Sequence, residues 1–103
     1  MNQATEFTQK YDEQRELFIQ ITERLNDLEL ESEQIRSDIE EQAMEESATA
    51  TGVASLKRKK LAGHDRYQAI QLEIARLKID QMRAEKSARV AEMLAWSNME
   101  RIH

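Results

Sequence analysis

The stretch Ser47-Ala48-Thr49-Ala50-Thr51-Gly52-Val53-Ala54-Ser55 decides the fold, because it is the one clear interruption in a chain otherwise built of helix formers. Ser and Thr side chains compete for backbone hydrogen bonds, so they favour caps and turns over helix interiors. Gly52 has no Cβ and is free to take the left-handed conformation that ends a helix. Reading outward from this break, the sequence predicts helix 1 over about residues 4–46, a turn over 47–55 and helix 2 over about residues 56–99. Each helix would extend roughly 65 Å at 1.5 Å per residue, a length typical of coiled coils.

Composition points the same way. The chain has 103 residues, 40% hydrophobic and 34% charged, with two glycines and no proline. That is enough for one small domain and leaves little turn punctuation. Val, Thr and aromatic residues are few, while Ala, Glu, Gln, Leu, Lys and Arg are plentiful, which favours helix over strand. The absence of cysteine excludes disulfides and thiolate metal sites. No apolar run approaches the ~18 residues that span a bilayer, and Met1 to Lys10 carries no signal-peptide core. The expectation is a cytoplasmic protein with no membrane partner.

Helix 1 repeats at alternating steps of four and three: Phe7, Tyr11, Gln14, Phe18, Ile21, Leu25, Leu28, Ser32, Ile35, Ile39, Gln42. This is a heptad seam. Helix 2 carries a matching seam from Lys60 and Gly63 through Tyr67, Ile70, Ile74, Leu77 and Gln81 to Ala84, Ala88, Ala91 and Ala95. Folding the chain back about Thr51 sets Leu28 against Ile74, Ser32 against Ile70, Phe18 against Ala84, Tyr11 against Ala91 and Phe7 against Ala95. Large then meets small, as interdigitated packing requires. The fold class is therefore all-α, a long antiparallel coiled-coil hairpin.

Charge is split along the chain. Residues 1–50 hold 14 acidic and 4 basic side chains, and residues 51–103 hold 6 acidic and 11 basic. Glu40, Glu41, Glu45 and Glu46 end helix 1, and Lys57, Arg58, Lys59 and Lys60 begin helix 2. Each cluster opposes its own helix dipole. Side by side in a hairpin they offset one another.

Helix 2 has a second apolar stripe that the hairpin does not use: Leu72, Ala75, Ile79, Met82, Val90 and Met93, interrupted by Lys86. It lies roughly 200° around the helix from the first. Leu94, Trp96, Met99 and Ile102 extend the apolar surface toward the C-terminus. A helix apolar on two faces is covered on two sides. We therefore expect a homo-oligomer, in the simplest case a four-helix bundle dimer, and contact with another protein. Leu72, Ile79, Met82, Val90, Met93, Leu94 and Trp96 are the expected interface. Trp96 has a second reading, packing near Phe7.

Other features carry less. Lys57, Arg58, Lys59, Lys60 and Arg66 form the candidate nucleic-acid contact, against which stands their use in neutralising helix 1. The acidic face over residues 29–46 offers an alternative as a nucleic-acid mimic, against which stands a merely solvated surface. His64 and His103 are too far apart in sequence for a helical metal pair, and His64 reads as a surface histidine. No Ser or Thr is matched with a His and Asp as a nucleophile would require, so neither catalysis, cofactor nor metal is expected. The sequence points to a non-enzymatic adaptor, chaperone or inhibitor that binds protein through helix 2.

Overall fold

The computed structural model describes the backbone of residues 3–101 and the side chains of Glu6 and of residues 8–97. The described residues form three helices and no strand: α1 Gln3–Glu46, α2 Ala50–Ala62 and α3 Asp65–Arg101. The chain divides into two compact units. One holds residues 25–76, and the other holds the residues up to Arg24 together with those from Leu77 onward.

The turn is shorter than the sequence predicts. It occupies residues 47–49 rather than 47–55, because its hydroxyls start the next helix early. Thr49 is the N-cap of α2, with extended backbone (φ −115°, ψ 146°) and its Oγ1 accepting from the Gly52 N–H at 3.0 Å. The Ser47 Oγ accepts from the Thr49 N–H at 3.4 Å. Such caps satisfy helix donors that have no partner within the helix. Gly52 thus sits in the first turn of α2, and no glycine has a positive φ. Its lack of a side chain serves close approach instead. A Cβ there would fall on the Ser47 Oγ, and would lie 2.8 Å from the Thr49 Oγ1 and 3.2 Å from the Ser47 Cβ.

The second correction concerns helix 2, which is two helices with a break at Gly63 and His64. The His64 N–H donates to the Leu61 carbonyl at 3.2 Å, and Gln68 Nε2 donates to the same oxygen at 3.0 Å. His64 then caps α3: its Nδ1 accepts from the Tyr67 N–H at 3.0 Å. That bond needs Nδ1 unprotonated. The surface histidine of the sequence reading is a helix cap.

In the unit of residues 25–76, the core is Leu25, Leu28, Ile39, Ala43, Tyr67, Ile70 and Ile74, with Leu28 and Ile70 fully buried. Polar contacts join α1 to α3 here, two of them at Tyr67 and at Ser32. The Arg36 Nε donates to the Tyr67 Oη at 2.9 Å, and the guanidinium carbon lies 5.6 Å from the centre of the Tyr67 ring. That hydrogen bond raises the Arg36 pKa above its ordinary value. The Gln71 Nε2 donates to the Oγ of buried Ser32 at 2.9 Å. Four residues forward on α1 is four residues back on α3, so the two helices run antiparallel. Ser32, expected opposite Ile70, bonds its neighbour Gln71. Near the turn the seam moves from Gln42, which is exposed, to Ala43, which is buried. A 3.6-residue helix drifts from a strict seven-residue repeat, and the extra step absorbs the drift.

In the other unit, Ile21, Ala84 and Ala91 are buried and Tyr11, Phe18, Ala88 and Ala95 are half-buried. Tyr11 and Phe18 line one hollow with Ala88, not with the Ala91 and Ala84 set against them in the sequence reading. The Gln81 Nε2 donates to the Thr22 Oγ1 at 2.9 Å, and the Thr22 hydroxyl donates to the Phe18 carbonyl at 2.8 Å. The expected Phe7–Ala95 contact falls on a side chain outside the described residues.

These contacts set the sign of three substitutions. Alanine favours a helix interior over glycine by about 1 kcal/mol, yet Gly52→Ala should bring no such gain and should destabilise by up to about 1 kcal/mol, because the Ser47 and Thr49 hydroxyls would have to turn aside and give up their bonds to the Thr49 and Gly52 N–H groups. Gly63→Ala should be neutral or stabilise by up to about 1 kcal/mol, since a Cβ there meets nothing nearer than the Lys59 carbonyl at 3.7 Å. His64→Ala should lose about 1 kcal/mol and His64→Asn should keep most of it. Urea denaturation followed by circular dichroism checks all three. Equal effects at the two glycines would remove the steric account of Gly52.

Candidate protein interface

A helix that packs one face against a neighbour turns the opposite face outward. On α3 the packed face carries Ala84 and Ala91. Opposite and beside it stand Ile79, Met82, Val90, Met93, Leu94 and Trp96, all between 45% and 69% exposed. Leu72, in the unit of residues 25–76, is also exposed. Val90 and Leu94 share a shallow hollow with Lys10 and Lys86, and Met93 and Trp96 share another with Arg89 and Glu92. Met99 and Ile102 lie outside the described side chains.

The two units differ in how they spend their apolar residues. The unit of residues 25–76 buries its large ones, and leaves Leu30, Met44 and Leu72 as its exposed large hydrophobics. The other unit has a core rich in alanine. Its exposed set is larger, because Leu17 and Ile19 of α1 join the six residues of α3.

The basic run lies in the second half of α2, with Lys59 and Lys60 in its last turn, rather than at the start of a helix as the sequence predicts, and it is divided between two roles. Lys57 pairs with Glu40 at 3.6 Å, and Lys60 pairs with Glu46 at 2.9 Å. Arg66 grips Glu31 with two nitrogens, at 2.9 and 3.0 Å by hydrogen-bond geometry. Arg58 and Lys59 are exposed and have no ion-pair partner among the described residues. Three of the five candidate phosphate ligands are therefore committed to α1. The acidic stretch is committed in part as well, since Glu31, Glu40 and Glu46 take those cations and Glu33 pairs with Arg36 at 3.5 Å.

Among the described residues, no three of His, Cys, Asp and Glu gather as a metal site, and no helix is long and apolar enough to cross a membrane. No known protein family, curated protein or solved structure matches the chain.

Four charged residues gain meaning from the structure. Arg83 and Lys86 stand exposed on the apolar side of α3, and neither has a charged partner among the described residues. Glu16 and Glu23 stand exposed on α1, also outside any ion pair among the described residues. In sequence Lys86 reads as an interruption of the stripe. The useful signal is that Arg83 and Lys86 are three apart and share a helical face with Ile79 and Val90.

The division of the basic run is open to measurement. Replacing Lys57 and Lys60 by Gln should cost about 0–1 kcal/mol per pair, shrinking as salt rises. Replacing Arg58 and Lys59 by Gln should change stability by less than about 0.5 kcal/mol. Urea titrations at low and high salt read both. Equal losses for the two variants would contradict the division.

Proposed function

We propose that the chain is a non-enzymatic adaptor, chaperone or inhibitor that binds protein through the outward side of α3. In this reading it is a coiled-coil hairpin that assembles into a bundle of four or more helices and works in the cytoplasm. One observation carries the proposal. Large apolar side chains are left uncovered in the unit whose own core is mostly alanine. Uncovered apolar surface of this kind marks an interaction site, and an amphipathic helix face is a common means of joining another bundle. Ile79, Met82, Val90, Met93, Leu94 and Trp96 supply the contact, and Leu72 extends it. Met and Trp are well suited to that work, Met by adapting to irregular surfaces and Trp as an anchor.

A nucleic-acid role through Lys57, Arg58, Lys59, Lys60 and Arg66 has less support, because three of these cations are held by glutamates. Releasing them would cost the pairs they already make.

The test uses the wild-type chain and the Ile79→Lys, Val90→Lys double variant as tagged baits in a native, nuclease-treated lysate. Wild type should retain a defined set of proteins. The variant should lose them while its helical circular dichroism stays the same, because both positions are about half exposed. Equal capture by both baits would refute the assignment of the face.

A further inference from the structure

We propose that the outward face of α3 is built to take the outward face of α1 from a second copy of the chain. The inference rests on the reading of α3 as an interface, and it names the occupant.

The argument is one of charge. Ile79, Arg83, Lys86, Val90 and Met93 follow steps of four, three, four and three along α3, so they form one stripe. All five are exposed, and the only charges in the stripe are positive. On α1, Asp12, Glu16, Ile19 and Glu23 follow steps of four, three and four. All four are exposed, and the only charges there are negative. The α3 stripe is about 21 Å long and the α1 stripe about 17 Å, at 1.5 Å per residue. Each presents apolar contact and one sign of charge to a face of the other sign. None of these five charged side chains is in an ion pair among the described residues, so none must abandon one to engage a partner.

The same charges disfavour the simplest alternative. A two-fold pairing of α3 with α3 would set Arg83 and Lys86 near the same residues of the partner, and like charges across an interface are costly. Pairing α3 with α1 removes that opposition. It is also a head-to-tail contact. On each chain these stripes lie opposite the faces that α1 and α3 turn to each other, so every contact leaves one α1 stripe and one α3 stripe unused. Assembly of this type closes as a ring or grows as an open series, and does not stop at a two-fold dimer.

Sedimentation velocity on the full chain, over a range of concentration and at low and high salt, tests the proposal with two variants. One is Arg83→Glu with Lys86→Glu, and the other is Glu16→Lys with Glu23→Lys. Wild type should form oligomers that lengthen with concentration and weaken with salt. Each variant alone should associate about tenfold more weakly or worse, with helical circular dichroism unchanged. Mixed in equal amounts, the two should regain assembly, because each then supplies the face that the other requires. A wild-type chain that stays monomeric overturns the proposal, as does a mixture that fails to recover, or a discrete dimer indifferent to both reversals. If the chain stays monomeric while the Ile79→Lys, Val90→Lys variant still loses its captured proteins, the occupant is an acidic segment of another protein. The second copy is then refuted and the protein-binding face stands. If both tests fail, the face itself is misassigned.

Discussion

Two long helices can be held in register by apolar side chains alone only weakly, because a slip of one heptad sets another apolar row in place of the first. Polar cross-links between α1 and α3 remove that freedom. In the unit of residues 25–76, buried Ser32 is satisfied by Gln71, and Arg36 by Tyr67. In the other unit, Gln81 holds Thr22. A shift along either helix would leave the buried Ser32 hydroxyl without its partner, at a cost of about 1–3 kcal/mol. Among the described residues no buried side-chain polar atom lacks a hydrogen bond. Antiparallel pairing in this register is what decides which sides of α1 and α3 are left for other work.

What is left differs between the units. Where Leu25, Leu28, Ile39, Ile70 and Ile74 are buried, the core is provided by the chain itself. Where Ala84 and Ala91 are buried, each removes little apolar area from water, and buried area is the main favourable term. Of the larger apolar residues of that unit, Ile21 is buried, while Ile79, Met82, Val90, Met93, Leu94 and Trp96 are exposed. On α3 the small residues thus lie on the packed face and the large ones on the exposed face.

Charge follows the same division of labour. Three of the five cations nearest the turn are used within the chain. Lys57, Lys60 and Arg66 answer glutamates on α1, and as exposed pairs they orient more than they stabilise. Arg83 and Lys86 have no such answer among the described residues, and they share their face with the uncovered apolar side chains. The charge excess is thus partly paired near the turn and unpaired at Arg83 and Lys86 among the described residues.

Much of this was legible in sequence because helical periodicity is a local property. Steps of three and four identify the seam whatever lies across it, and Ile21, Leu25, Leu28, Ile39, Tyr67, Ile70, Ile74, Ala84 and Ala91 are buried where the heptads place them. The outward position of Ile79, Met82, Val90 and Met93 follows from the same arithmetic. The turn was less legible. A Ser, a Thr and a Gly in one stretch are compatible with ending a helix or starting one. The choice depends on whether Thr49 reaches the Gly52 N–H and on how closely Ser47 approaches. Nor does sequence distinguish a surface histidine from a cap, since His64 becomes one only when its Nδ1 meets the Tyr67 N–H. Sequence by itself determined the helical content, most of the seam and the sides it leaves open, because those depend on spacing along one chain. Tertiary structure alone decided which glutamate each lysine meets, where the turn closes and which charges remain unpaired, because those depend on distances between residues far apart in sequence.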